Sequence, residues 1–283
     1  MSKNEDSLRA DLAGLAENAS RVVVGKKRVL ELMTTALLAE GHVLLEDVPG
    51  LGKTLMAKAL AKSMGGTFRR IQFTPDLLPS DVTGFSVYDQ KAGNFVFHPG
   101  PVQCNVLLAD EINRTIPRTQ ASLLESMGEF QVTVDGKTIT LPRPFFVIAT
   151  QNPIEMDGTF PLPEAQLDRF LMRIDVGYPS EEEEIAILER FQENDPLESL
   201  SPVLSPEKIC RLQSLRAGVV ISGPVRAYIA ALAASTRRHA LARFGVSPRG
   251  AIGIMRAAQA LALLRGRDFV LPDDVKELAE PVL

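Results

Sequence analysis

The 283-residue sequence predicts an α/β fold in which a central parallel sheet is flanked by helices and followed by a small α-helical domain. Three observations carry this reading. Short apolar runs of strand length, at His42–Leu45, Val106–Ala109 and Phe145–Ala149, alternate with stretches of helical spacing, the pattern of strands buried on both faces. The first run passes through a glycine-containing turn straight into a helix. Beyond Pro179 the apolar residues recur only at helical spacing. The change falls near Tyr178-Pro179-Ser180 and predicts an α/β unit over 1–178 and a helical unit over 179–283.

Leu8, Leu12 and Leu15 set a first helix over residues 5–19. The link Arg21-Val-Val-Val-Gly25 leads to a second helix, Lys26–Glu40, ended by Gly41. After the glycine turn, Leu55–Met64 reads as a helix and Thr67–Phe73 as a strand. Residues 85–97 read as a hairpin, with Phe85-Ser-Val-Tyr and Asn94-Phe-Val-Phe97 flanking a five-residue tip at Asp89–Gly93. Val106–Ala109 is the next buried strand, and a helix runs from Pro117, acceptable in a first turn, to Met127. Residues 130–141 alternate in polarity around Asp135-Gly-Lys137, a second hairpin. Phe145–Ala149 and Leu171–Asp175 complete the strands. Helices follow at Glu181–Gln192, Pro206–Ala217, Pro224–Ala242, Pro248–Leu264 and Pro272–Ala279, with a connector at Glu193–Ser205.

Composition narrows the function classes. The net charge of −4 points away from a nucleic-acid or anionic-membrane partner. Cys104 and Cys210 lie far apart without a CxxC pair and read as buried thiols in a reducing compartment. His42, His98 and His239 are scattered, against a zinc site. The polar, acidic start is unlike a signal peptide, and no apolar run is long enough to span a bilayer, so the expected location is the cytoplasm. Glu181–Glu184 suits the positive end of a helix. Arg237, Arg238, His239 and Arg243 read as the cationic end of the helix from Pro224, with a partner surface as the alternative.

The chemistry concentrates in Glu46-Asp-Val-Pro-Gly-Leu-Gly-Lys-Thr54. Glycines let backbone N–H groups approach phosphate oxygens, a lysine reaches the outer phosphates and a hydroxyl serves Mg²⁺. Gly50, Gly52, Lys53 and Thr54 supply these parts, and the helix start adds its positive end. Asp47 stands where such loops carry a first glycine, at the strand exit. Pro49, Leu51 and Leu55 complete the expected nucleotide-contacting stretch. A second element, Val106-Leu-Leu-Ala-Asp110-Glu111, puts two carboxylates at the end of a buried strand, where open α/β sheets bind ligands. Asp110 is placed to hold Mg²⁺ through water and Glu111 to polarise the attacking water. A strand ending in two acids is by itself often only a solvated turn. Asn152 leaves a third core strand, positioned to orient that water or else to serve the turn before its proline. Arg169 and Arg249 are candidates for neutralising transition-state charge.

As a set these residues resemble the AAA+ P-loop ATPases, and most closely the MoxR branch. The phrases Leu45–Thr54, Leu108-Ala-Asp-Glu-Ile-Asn-Arg114, Ala149-Thr-Gln-Asn-Pro153 and Leu162-Pro-Glu-Ala-Gln-Leu-Asp-Arg-Phe170 carry the resemblance. It implies that Lys53 and Thr54 belong to Walker A, Asp110 and Glu111 to Walker B, and Asn152 to sensor 1. It makes Arg169 an arginine finger offered to a neighbouring subunit, with Arg114 as the competing candidate, and Arg249 the sensor 2 of a helical lid that tilts on hydrolysis. Val24 and Gly25 match the segment lining the adenine pocket, and the two hairpins match family inserts. The implied protein is an ATP- and Mg²⁺-dependent, ring-forming homo-oligomer, hexameric by resemblance. It would remodel or mature client proteins, often with von Willebrand factor A domain partners. The alternatives are a nucleic-acid motor or loader and the ATPase subunit of a metal chelatase. The sequence stops soon after Val275–Glu280, where such lids usually continue.

Overall fold

The computed structural model describes residues 3–46, 48, 50–91, 93–152, 158–191, 196–240, 242 and 244–283. Helix α1 (Lys3–Ser20) buries Leu8, Leu12 and Leu15, and α2 (Lys27–Leu38) is buried over most of its length. Strand β1 (Val43–Glu46) leads through the glycine turn to α3 (Lys53–Ser63) and β2 (Phe68–Gln72). A short helix α4 (Pro79–Thr83) precedes the hairpin β3 (Gly84–Asp89) and β4 (Asn94–Pro99). Then come β5 (Val106–Asp110), α5 (Pro117–Glu129), the hairpin β6 (Gln131–Val134) and β7 (Lys137–Thr140), and β8 (Phe146–Gln151). Helix α6 (Glu164–Leu167) and β9 (Met172–Asp175) end the sheet region. The rest is helical: α7 (Glu181–Arg190), α8 (Pro206–Arg216), α9 (Gly223–Thr236), α10 (Pro248–Leu264) and α11 (Pro272–Val282).

The central sheet has five strands in the order β2-β5-β8-β1-β9, all paired in parallel. Their carboxyl ends therefore share one edge, and β8 lies between the strand that feeds the glycine turn and the strand that ends in Asp110. Alternate residues serve opposite faces. Val43, Leu45, Val106, Leu108, Phe146 and Ile148 join one apolar core with α1, α2 and α3. Leu44, Leu107, Ala109, Val147 and Ala149 join a second with α5 and Val132 of the β6–β7 hairpin. Helices α8 to α11 contribute Ile209, Leu212, Ile229, Ile254, Leu261 and Leu278 to the first of these cores, alongside α1 and α2.

Several expectations shift at their edges. The first hairpin's strands run to Asp89 and start again at Asn94, which shortens the expected five-residue tip. In the second, Lys137 pairs with Val134, so only Asp135 (φ 51) and Gly136 (φ 74) form the turn. Two successive left-handed residues match the twist of a two-residue hairpin. Helix α9 stops at Thr236 rather than 242: Arg237 Nε donates to the Val246 carbonyl at 2.8 Å and Val246 N–H to Thr236 Oγ1 at 3.0 Å, folding the chain back on itself. A Cβ at Gly245 would sit 2.4 Å from Arg237 Cα, so this return needs glycine. Arg237 is accordingly the C-cap of α9, and Arg238 and His239 follow it directly, so these residues stand at the negative end of a helix shorter than expected; Arg243 is outside the described residues. Cys104 is buried, which pushes its thiol up to about 12, whereas Cys210 is only half-buried, against the expectation of two buried thiols. Among the described residues no helix is long and apolar enough to cross a membrane.

Candidate active site

The site is built on the shared strand edge. β1 delivers the chain to Gly50 (φ 91) and Gly52 (φ 78), which sit in left-handed conformations with no other atom within 4 Å of where a Cβ would lie. Glycine is required there for backbone conformation, not for room. Gly52 is the N-cap of α3 and brings no side-chain acceptor to the first turn, unlike Ser180, Ser205, Ser222 and Ser247, which cap α7, α8, α9 and α10. An uncapped helix start of this kind suits an anion. Asp47 and Pro49 lie outside the described residues.

Gly50, Leu51, Gly52, Thr54 and Leu55 line a cavity of about 430 Å³ together with Val24 and Lys26 of the α1–α2 link and Ile187 and Phe191 of the α7 segment. Its size and apolar walls suit a nucleoside. Lys26 Nζ donates to the carbonyls of Gly177 (2.9 Å) and Tyr178 (3.2 Å), tying the link to the segment entering α7. Gly25 (φ 73) is the point of closest approach: a Cβ there would lie 2.2 Å from the Glu183 carboxyl. Of the two residues expected beside the base, Val24 lines the cavity and Gly25 does not; the opposite wall was not foreseen. The available signal was Ile187 and Phe191, one turn apart behind an acidic helix start.

At the ends of β5 and β8, Thr150 Oγ1 donates to Asp110 Oδ1 at 2.6 Å and accepts from the Glu111 N–H at 2.9 Å. Glu111 itself takes a left-handed conformation (φ 56), unusual for a residue with a side chain. Its Oε2 accepts from Gln72 Nε2 at 2.7 Å and lies 3.1 Å from Arg114 Nε. Asp110 Oδ2 accepts from Arg70 Nη2 at 2.6 Å. Arg70, Gln72 and Thr150 were not singled out from the sequence; the alternation in Phe68-Arg-Arg-Ile-Gln72 places Arg70 and Gln72 on one face. Asn152 is buried, two residues beyond Thr150 at the same edge. Glu46, also buried, is partnered by Gln151 and Arg173. The oxygen donors available to a hard cation are the Thr54 hydroxyl and the Asp110 carboxylate. Among the described residues no group of three or more His, Cys, Asp and Glu side chains forms a metal cage. That donor set fits magnesium, which prefers one or two protein oxygens plus substrate phosphates.

The two candidate arginines lie elsewhere. Arg169 Nη1 donates to the Leu124 carbonyl of α5 at 2.7 Å and passes over Gly128, whose Cβ would come within 2.8 Å of it. Ser247 Oγ donates to Asp168 at 2.8 Å, bringing the start of α10 beside Arg169. Arg249 is exposed and outside the cavity lining. Its charge is felt instead at His42, which precedes β1 at the opposite end of the strand from the glycine turn. Arg249, expected as the sensor of the lid, stands at the start of α10, a helix that packs against α2. Arg114 is engaged with Glu111 within the chain.

The family described as "ATPase family associated with various cellular activities (AAA)" matches residues 42–172, and the AAA lid domain matches 223–283. A Bacillus subtilis (strain 168) protein, YeaC, described as uncharacterized, is 54% identical over 275 residues, covering 97% of this chain and 86% of its own. Chaperone MoxR1 of Mycobacterium tuberculosis is 46% identical over 272 residues, 93% of this chain and 72% of its own. A crystal structure of a Cytophaga hutchinsonii protein designated an ATPase superposes with a TM-score of 0.91 at 41% identity, covering 99% of this chain and 87% of that one.

Proposed function

The chain belongs to the MoxR family of AAA ATPases and hydrolyses ATP, and from this premise we propose that it is a chaperone-like remodelling ATPase whose active site is completed by a neighbouring subunit. In this reading residues 1–178 act as the ATPase core and 179–283 as the lid. Val24, Ile187 and Phe191 enclose the base, while Gly50, Leu51, Gly52 and Leu55 present backbone to the phosphates. Lys53 neutralises the outer phosphates, and Thr54 and Asp110 hold magnesium, Asp110 through water. The metal would supply charge neutralisation on the phosphates. Glu111 takes the proton of the attacking water, Asn152 orients that water, and Arg169 and Arg249 face the nucleotide of the adjoining subunit in a ring, hexameric by family resemblance.

The observation that carries this is the joint placement of the glycine turn and the Asp110–Glu111–Thr150 cluster at one strand edge, with both candidate arginines remote from it. Glu111→Gln tests it. The variant is expected to bind ATP with wild-type affinity and to lose hydrolysis by about 10²-fold or more, the scale of a lost general base. Hydrolysis at more than a tenth of the wild-type rate would remove Glu111 from the assigned role.

The client is proposed to be a protein, by the chaperone designation of the M. tuberculosis relative, and von Willebrand factor A domain proteins are the partners proposed by family resemblance. Hairpin β3–β4 supports a protein client, with Phe95 68% and Tyr88 52% exposed and in edge contact at 5.3 Å. Its tip region carries Asp89 and Lys91, and in the other hairpin Asp135 lies in the turn with Lys137 beside it, so neither has the basic excess that gripping a nucleic acid requires. The proposed location is the cytoplasm.

A further inference from the structure

Strand β2 is an edge strand in which Ile71 alone is buried, and its Arg70 and Gln72 lie on one face beside β5, where Gln72 is in register with Asp110. Two bonds from Arg70 converge on a single oxygen: Nε lies 3.1 Å and Nη2 2.6 Å from Asp110 Oδ2. Nη2 also donates to Gln72 Oε1 at 3.0 Å, and Gln72 Nε2 donates to Glu111 Oε2 at 2.7 Å. The other Asp110 oxygen is taken by Thr150. Each oxygen of the Asp110 carboxylate thus has a partner, and the outer one holds a cation. Arg70 does not fill a core position, since its side chain is 48% exposed.

We propose that Arg70 is a resident counter-ion of Asp110, holding the carboxylate oxygen that hydrated magnesium needs, so that metal loading requires Arg70 to swing aside. A guanidinium and a divalent cation cannot share one carboxylate oxygen without strong repulsion. Displacing Arg70 also removes the donor on Gln72 Oε1, so the rearrangement reaches Glu111 through the Gln72 amide. Arg70 is then a positioning residue that links metal occupancy at Asp110 to the setting of Glu111. This rests on the proposed assignment of Asp110 to magnesium.

The test titrates magnesium into the purified full chain carrying a fluorescent ATP analogue, for wild type, Arg70→Ala, Arg70→Lys and Arg70→Gln, with binding in EDTA as the metal-free reference. The magnesium concentration at half-response is expected to fall about 2- to 5-fold in Arg70→Ala and Arg70→Gln, the range set by loss of a partly exposed ion pair. Arg70→Lys should stay near wild type, and affinity in EDTA should not fall in any variant. An unchanged half-response overturns the proposal. A raised one does so too, because it makes Arg70 a group that holds the nucleotide rather than a competitor of the metal. If wild type shows no magnesium-dependent response, the ATPase assignment of Asp110 fails first; if wild type responds and the variants match it, only the role of Arg70 fails. Arg70→Gln and Arg70→Lys keep the test decisive should the alanine variant melt early.

Discussion

Two residues with shifted or strained settings show how local chemistry constrains this chain. His42 is buried, its Nε2 3.2 Å from the Met127 carbonyl and its Nδ1 accepting from Val147 N–H at 3.0 Å, so the ring is the neutral tautomer protonated on Nε2. Burial first, then the charges of Arg249 and Arg143, lower its pKa to about 4, against the opposing pull of the Met127 carbonyl. Because the unfolded histidine titrates near its ordinary value of 6.5, the unfolded chain binds more protons between pH 6.5 and 4. The contribution is whole above that window and is lost as pH falls through it, reaching about 2 kcal/mol by pH 5. Urea unfolding at pH 7 and pH 5 should show this loss in wild type and a flatter response in His42→Gln. Equal slopes would assign the acid sensitivity to other groups. Glu111, with its left-handed backbone, is a different case. Its conformation is fixed from outside by the Thr150 hydroxyl, a long-range contact that the Asp110-Glu111 dipeptide does not announce.

At the level of elements, the apolar wall of the cavity belongs to α7 and its C-terminal end. Phe191 is 48% exposed while lining the cavity, so its ring serves the ligand more than the core. Phe191→Ala should lower nucleotide affinity on the order of 3- to 10-fold, measured with a fluorescent nucleotide, while changing stability by less than about 1 kcal/mol. A large fall in melting temperature with affinity retained would contradict this. For the β3–β4 hairpin, Phe95→Ala should keep ATP hydrolysis within about 2-fold and reduce client activation on the order of 10-fold, because an exposed anchor ring carries much of a contact's energy; full client activation would remove the hairpin from that role. Elements were legible where local chemistry decides. β1, β5 and β8 are apolar runs because both their faces are covered, and Asp135-Gly136 specifies its turn. The end of α9 was not legible, because Thr236, Arg237 and Val246 settle it through a return that only Gly245 permits. Nor was the second cavity wall, which brings residues 187 and 191 against residues 24 and 26 across most of the chain's length.

Across the whole molecule, the site residues divide into two groups on different flanks. The glycine turn, Asp110 and Glu111 form one; Arg169, beside the start of α10 with Arg249, forms the other. Both groups were candidates in the sequence, but their separation was not legible there, because it arises from how α5 and α10 pack. A head-to-tail ring would join one group to the other, and mixing tests this. Lys53→Ala and Arg169→Ala should each be inactive alone, yet random co-assembly should restore hydrolysis at about a quarter of the interfaces, where both residues are intact. Mixtures as inactive as the separate variants would show that Arg169 serves its own chain. The shared core of α1, α2 and α8–α11 bears on how such an assembly moves. Residues 200–278 bury leucines and isoleucines among those of α1 and α2, whereas Ile187 and Phe191 face the glycine turn across the cavity. Parting that shared apolar face would wet it, at roughly 25 cal/mol for each Å² exposed. In the proposed ring this favours a rocking of whole protomers against each other, with the cracks between subunits serving as the joints.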